Sequence, residues 1–322
     1  MQNHHFAWLL LLSIWINAAP YSVAIAEQTR RPAKADTDEL IKKTITVNGT
    51  DRQYFVHLPA QAAVPEKMPL VVVLHGANSN PKLMENVSGM SIKSDREAFI
   101  VAYPRGSGRI LTWNSEDCCG FAQEKKIDDV KFIEAMIDDA VKAFPVDPAR
   151  VYVAGYSNGG MLVYHLASKL PDKIAAVAAI SAPMSGREPT PKQPISIMIF
   201  HGKNDSRLPY DGGQGRYAKW GITLPDKPFR YTVDFWTKHN NATVLKEKSE
   251  RNGIQLEHYE SPDRKTEVIA YTVLEGKHAW PGGRRSRFYG DKPTMALSAT
   301  DEIWRFFQRH QLNAAATAAG TL

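Results

Sequence analysis

Apolar positions along the chain follow two different patterns. Between 44 and 57 they alternate with polar ones: Thr44-Ile45-Thr46-Val47, then Asn48-Gly49, then Arg52 to His57 with Tyr54 and Val56 alternating. Alternation of period two, broken by Asn-Gly, predicts a β-hairpin with a tight turn at the antiparallel edge of a sheet. From Leu70 the character changes. Leu70-Val71-Val72-Val73-Leu74 is a continuous apolar run, and similar runs follow at 99–103, 151–154, 175–180, 195–200 and 268–274. Unbroken β-branched runs of this length predict strands covered on both faces, as in a parallel sheet. Helical patterning falls between or after them, over 128–143, 158–169, 231–239 and 300–309. Strands alternating with helices through short connections imply right-handed crossovers, hence an α/β fold with one mostly parallel sheet and helices on both faces. Only about fifteen residues separate the runs ending at 180 and starting at 195, which leaves no room for a cap domain there and predicts an open site.

The ends are patterned differently. Residues 6–16 are apolar but too short to cross a bilayer, and Ala24-Ile25-Ala26 offers a small-x-small cleavage site before Glu27. Residues 1–26 therefore read as a signal peptide, although the only positive charge ahead of the apolar stretch is the terminal amine. Residues 27–43 are polar, charged and without apolar period, and read as a flexible leader. A catalytic domain is expected over 44–312, followed by an unpatterned Ala/Thr/Gly tail at 313–322.

Composition adds little beyond scale: 322 residues with 43% hydrophobic content suffice for a full core. The net charge of +6 is spread along the chain among acids, which argues against a nucleic-acid partner. The densest basic run is Arg284, Arg285 and Arg287. It reads either as a solvated loop or as an attractor for an anionic substrate or an acidic cell-wall polymer. The two cysteines, Cys118 and Cys119, are adjacent; an oxidising compartment favours a vicinal disulfide, with two thiols as the alternative. Neither lies at a spacing that forms a metal site, and no cofactor motif is present.

The strongest chemical signal is Gly155-Tyr156-Ser157-Asn158-Gly159-Gly160, placed where a strand gives way to a helix. Glycines at this spacing let strand and helix approach, so the serine can sit in a tight turn with its hydroxyl exposed. The same geometry aims the N–H of Asn158, at a helix N-terminus, toward a developing oxyanion. A second donor is expected after the run 70–74, where His75-Gly76-Ala77 follows; the N–H of Ala77 is chosen and His75 is read as structural. Asp205 closes the segment His201-Gly202-Lys203-Asn204-Asp205 after the run 195–200, at the carboxyl edge of the sheet, where active sites gather. Asp128, Asp129 and Asp147 are accounted for by capping and turn formation. The base is expected after the last apolar run, at His278 in Glu275-Gly276-Lys277-His278. His165, His239, His258 and His310 fit worse, being in helices or a polar strand-like stretch.

These residues resemble the secreted polyhydroxybutyrate depolymerase and feruloyl esterase family of α/β-hydrolases. The resemblance runs from about Thr44 to the C-terminal helix. It is carried by Leu74-His75-Gly76, Trp113-Asn114 with Cys118-Cys119-Gly120, the segment Val146-Asp147-Pro148-Ala149-Arg150-Val151-Tyr152, the serine turn, Pro209-Tyr210-Asp211-Gly212-Gly213, and His278-Ala279-Trp280-Pro281-Gly282. It implies an α/β-hydrolase fold, ester hydrolysis through Ser157, Asp205 and His278, no cofactor, and an ester substrate that is either small or polymeric. Many depolymerase-like members carry Cys where this chain has Ala77, which favours feruloyl-type esters over polyhydroxyalkanoates. Trp113, Tyr210, Trp220 and Trp280 are expected on loops near the serine, as an aromatic cleft. A noncatalytic binding protein on the same fold is the alternative of another class.

Overall fold

The computed structural model describes residues 39–60, 66–116, 118–215, 226–285 and 290–312. The signal peptide expected at 1–26, the leader over 27–38 and the tail at 313–322 lie outside them, as do Trp220 and Arg287.

Among the described residues ten strands form one sheet in the order β1-β2-β4-β3-β5-β6-β7-β10-β9-β8. The predicted hairpin is β1 (Ile41–Val47) and β2 (Thr50–His57), paired antiparallel at one edge. β1 begins inside the segment read as leader: Ile41, Lys42 and Lys43 pair with Val56, Phe55 and Tyr54. An edge strand that exposes most of its side chains carries little apolar signal, so its start was invisible in the pattern. The continuous apolar runs form β3 (Met68–Leu74), β4 (Ile100–Pro104), β5 (Val146–Tyr156), β6 (Ala176–Ile180), β7 (Ser196–Gly202) and β10 (Glu267–Val273). All of these pair in parallel. At the far edge β8 (Val244–Arg251) and β9 (Ile254–Glu260) add an antiparallel hairpin onto β10.

Alternation along the central strands sends successive side chains into two separate cores. Leu70, Val72, Leu74, Val151 and Val153 pack with α4 (Asp129–Ala143), α5 (Asn158–Lys169) and α6 (Phe229–His239) on one face. Val71, Val73, Tyr152, Ala154 and Phe200 pack with α1 (Pro81–Ser88), α2 (Met90–Glu97) and α7 (Ala299–Phe307) on the other. A short α3 (Gly120–Glu124) follows the cysteine pair. The connection from β6 to β7 carries no helix or strand, so no cap domain stands there. Among the described residues no helix is long and apolar enough to cross a membrane.

Candidate active site

The carboxyl ends of β3, β5, β7 and β10 supply the residues singled out in the sequence. β5 ends at Tyr156, and the next residue, Ser157, takes φ 56° and ψ −124°, a conformation rare for a residue with a Cβ. Its N–H donates to the carbonyl of Ile180 at the end of β6. The turn is this tight because Gly155 and Gly159 lie against each other: a Cβ on Gly155 would stand 2.4 Å from the Gly159 oxygen. Gly159 in turn meets the end of β3, where a Cβ would lie 2.6 Å from the His75 carbonyl oxygen.

Asp205 sits in the turn after β7, 4% exposed. Its Oδ1 accepts from the N–H groups of Arg207 at 2.8 Å and Leu208 at 3.0 Å. Its Oδ2 lies 2.7 Å from His278 Nδ1, and His278 Nε2 lies 2.9 Å from Ser157 Oγ. A carboxylate only accepts, so Nδ1 carries the proton and Nε2 is left to accept from the serine hydroxyl. Burial works against a charge on Asp205, but His278, then His201 and the Leu208 N–H, outweigh it and hold the carboxyl below its ordinary value. His278 is 2% exposed; its carbonyl accepts from Tyr156 Oη at 2.9 Å and from the Asp291 N–H at 2.8 Å, which fixes the loop that carries it.

Gly76 passes directly over the serine, since a Cβ there would stand 3.2 Å from Ser157 Cβ. Ala77 follows it at the wall of the same cavity. Asn158 opens α5 behind Ser157, whose side chain does not cap that helix, so the amides of its first turn remain open to an anion. A hydroxyl facing an unprotonated imidazole nitrogen, beside a helix N-terminus, is an arrangement in which a proton leaves the serine as negative charge builds nearby.

The cavity over Ser157 measures about 540 Å³ including its open mouth, and Met84, Val87, Ala279, Trp280 and Pro293 give it an apolar side. Of the four aromatic residues expected at the cleft, Trp220 lies outside the described residues, and among the other three only Trp280 lines the cavity. Trp113 is fully buried, its indole N–H bonded to the His75 carbonyl, and packs against Phe132 of α4. Tyr210 lines a different groove, between α6 and β9, with its hydroxyl on Thr272. Both are corrections: Trp113 braces the loop that holds Ala77, and Tyr210 braces the outer sheet.

The competing histidines are engaged elsewhere. His75 bonds the Gly76 carbonyl and the Gly106 N–H through its two ring nitrogens, and burial lowers its pKa to about 4. His165 lies near Glu116, His239 sits tilted against Phe235, and His258 and His310 both meet Glu267. Cys118 and Cys119 lie side by side, and Asn158 Nδ2 reaches the sulfur of Cys118. Among the described residues no group of three His, Cys, Asp or Glu side chains is disposed to hold a metal.

Sequence reasoning passed over His201, which is fully enclosed beside Asp205: its Nε2 lies 3.6 Å from Asp205 Oδ2 and bonds the Leu208 carbonyl at 2.8 Å. It also passed over Asp226, whose carboxyl is pushed up to about 7 by burial, then by the charges of Asp205 and Glu188. The His-Gly-x-x-Asp spacing hinted at the first; nothing local marked the second.

Residues 52–206 match the family model described as esterase PHB depolymerase. A protein of Nocardia uniformis subsp. tsuyamanensis named "Putative esterase NocK" is 31% identical over 283 residues, 82% of this chain and 81% of that protein. Feruloyl esterase B of Piromyces equi is 27% identical over 240 residues, 72% of this chain but only 44% of its own length. Among solved structures, the acetyl xylan esterase from Aspergillus awamori superposes with a TM-score of 0.59 at 14% identity, over 83% of this chain and 99% of that one. That likeness is one of fold.

Proposed function

The chain belongs to the polyhydroxybutyrate depolymerase family of carboxylic ester hydrolases, and on that premise we propose that Ser157 is its nucleophile, His278 its general base and Asp205 the acid that orients the histidine. Ser157 Oγ attacks the ester carbonyl carbon while its proton passes to His278 Nε2. The N–H groups of Ala77 and Asn158 take the charge that forms on the carbonyl oxygen. Collapse of this intermediate breaks the bond to the alcohol oxygen, which leaves with the proton from His278. Water then releases the acid from the acyl-enzyme by the same route. The observation that carries the reading is the continuous series Ser157 Oγ, His278 Nε2, His278 Nδ1, Asp205 Oδ2 at 2.9 and 2.7 Å, begun by a serine at positive φ.

The substrate we propose is a feruloyl-type or related ester, acted on outside the cytoplasm after removal of residues 1–26. Trp280, Met84 and Val87 support an apolar acyl group beside Ser157, and the connection without a cap supports access by large substrates. Ala77, in place of the cysteine common in depolymerases, supports small or feruloyl esters over polyhydroxyalkanoates. The test compares kcat/KM on methyl ferulate, short 4-nitrophenyl esters and hydroxybutyrate oligomers. The reading expects methyl ferulate to lead; a lead for the oligomers selects the depolymerase reading, and equal trace rates on all three defeat both.

A further inference from the structure

We infer that the mouth of the Ser157 cavity is an anion subsite, in which Arg284 takes a carboxylate carried by the non-reacting part of the ester substrate. The inference rests on the assignment of Ser157 as nucleophile and narrows the substrate to an acidic ester, of the kind an acidic polysaccharide would present.

Among the described residues, the charged side chains on the wall of this cavity besides His278 are Arg207, Arg284 and Asp291. Arg207 and Asp291 face each other, with Nε and Oδ2 3.8 Å apart, and offset one another. Among the described residues Arg284 has no such counterpart: its side-chain partner there is the neutral amide oxygen of Asn86, 3.2 Å from Nη1. That contact, and the bond from its backbone N–H to the Val87 carbonyl at 3.1 Å, hold Arg284 against the end of α1 on the rim. One edge of the guanidinium is thus occupied and positioned. Its remaining N–H groups suit a carboxylate, which a guanidinium binds through paired hydrogen bonds.

Met84, Val87, Trp280 and Pro293 supply the apolar part of the wall, with Ser79 and Tyr156 beside them. A neutral ester meets that surface without an ionic partner. An ester with a carboxylate gains the guanidinium as well, at an exposed rim where the contact is open to screening by salt. Arg285, the next residue, is exposed and does not line the cavity, so it provides a control of equal charge.

The test uses two matched substrate pairs on the full-length protein: 4-nitrophenyl hydrogen glutarate against its methyl ester, and carboxymethyl ferulate against its methyl ester. The first pair places the anion on the acyl side and the second on the alcohol side. The quantity read is the kcat/KM ratio of acid to methyl ester within each pair. In at least one pair the wild type is expected to prefer the acid, and Arg284→Gln to lower that ratio about three- to tenfold, the effect of one partly exposed charge contact. Arg284→Lys keeps most of the preference, Arg285→Gln leaves the ratio in place, and 0.5 M NaCl erodes it. A role of Arg284 confined to bracing α1 would change both members of a pair alike. Ratios unmoved by Arg284→Gln in both pairs overturn the subsite while leaving the esterase assignment standing. No turnover of any of the four esters by the wild type overturns the esterase assignment, and the subsite falls with it.

Discussion

The side-chain amide of Asn158 clasps the backbone of Trp113 from both sides: Oδ1 accepts the Trp113 N–H at 2.8 Å and Nδ2 donates to the Trp113 carbonyl at 3.0 Å. The first residue of α5 is thereby tied to the loop whose indole supports the His75 carbonyl. Two backbone donors proposed to share one oxyanion are held in register through this bridge.

Replacing Asn158 by Ala keeps the backbone N–H but strands the buried N–H of Trp113, whose carbonyl retains the Cys119 N–H. The stranded donor is expected to cost about 1–3 kcal/mol, seen as a lower urea midpoint at unchanged slope. Turnover is expected to fall as well, although residue 158 still offers its amide. An unchanged midpoint would show that the clasp contributes nothing.

His201 holds the Leu208 carbonyl, and the Leu208 N–H holds Asp205, so the histidine acts on the carboxylate through the backbone of one residue. His201→Phe is expected to lower kcat about tenfold, the scale of one misplaced hydrogen bond of roughly 1.4 kcal/mol, with KM little changed. His201→Gln, which restores an N–H near the same place, should recover much of the loss. The readout that isolates positioning from folding is the pH profile of kcat/KM, whose lower limb should shift in the Phe variant and return in the Gln variant.

Much of this arrangement was legible in the sequence because it depends on backbone. The runs at 70–74 and 151–154 carry enough apolar residues to declare central strands, and the serine turn declares itself through glycines that no other residue could replace. The missed parts follow from tertiary contact. Helices α1 and α2 are eight residues each and largely polar, joined at Gly89 with φ 64°, so neither shows a sustained stripe. β8 is exposed at every position and reads as solvated chain. Trp113, Tyr210 and Trp280 are alike as aromatic residues flanked by turns. Each finds a hydrogen-bond partner, the indole of Trp280 at Thr300 Oγ1, so which of them lines the cavity is set by packing between distant segments, and local sequence does not encode that.

Gly159→Ala tests the close approach of α5 to β3. The added methyl would meet the Leu74 and His75 carbonyl oxygens at 2.7 and 2.6 Å, both backbone atoms that cannot swing aside. A loss of about 3 kcal/mol or more is expected, with activity abolished. Gly253→Ala is the comparison: it has open space but φ 74°, so its cost should stay near 1 kcal/mol and activity should persist. Equal costs at the two sites would contradict the packing argument.

Glu267 gathers three partners at the sheet edge: His258, His310 and Arg309 lie 2.6, 2.8 and 2.7 Å from its oxygens. Burial opposes its charge, and these contacts outweigh burial and hold the carboxyl well below its ordinary value of 4.5. A depressed carboxylate stabilises the fold fully above its unfolded pKa and progressively less as pH falls toward the folded one. Glu267→Gln is therefore expected to lower stability by about 1–3 kcal/mol at pH 7, with the gap to wild type narrowing below about pH 4.5. Denaturant titrations at pH 7 and pH 3.5 check it; a gap that widens toward acid would reverse the sign and refute the assignment.

The most direct measurement is fluorophosphonate labelling followed by peptide mass spectrometry. A single phosphonyl group is expected on Ser157, absent in Ser157→Ala and strongly slowed in His278→Ala, since attack at phosphorus needs the hydroxyl proton removed. A label on another residue, or ester hydrolysis retained at the wild-type rate by Ser157→Ala, would contradict the account.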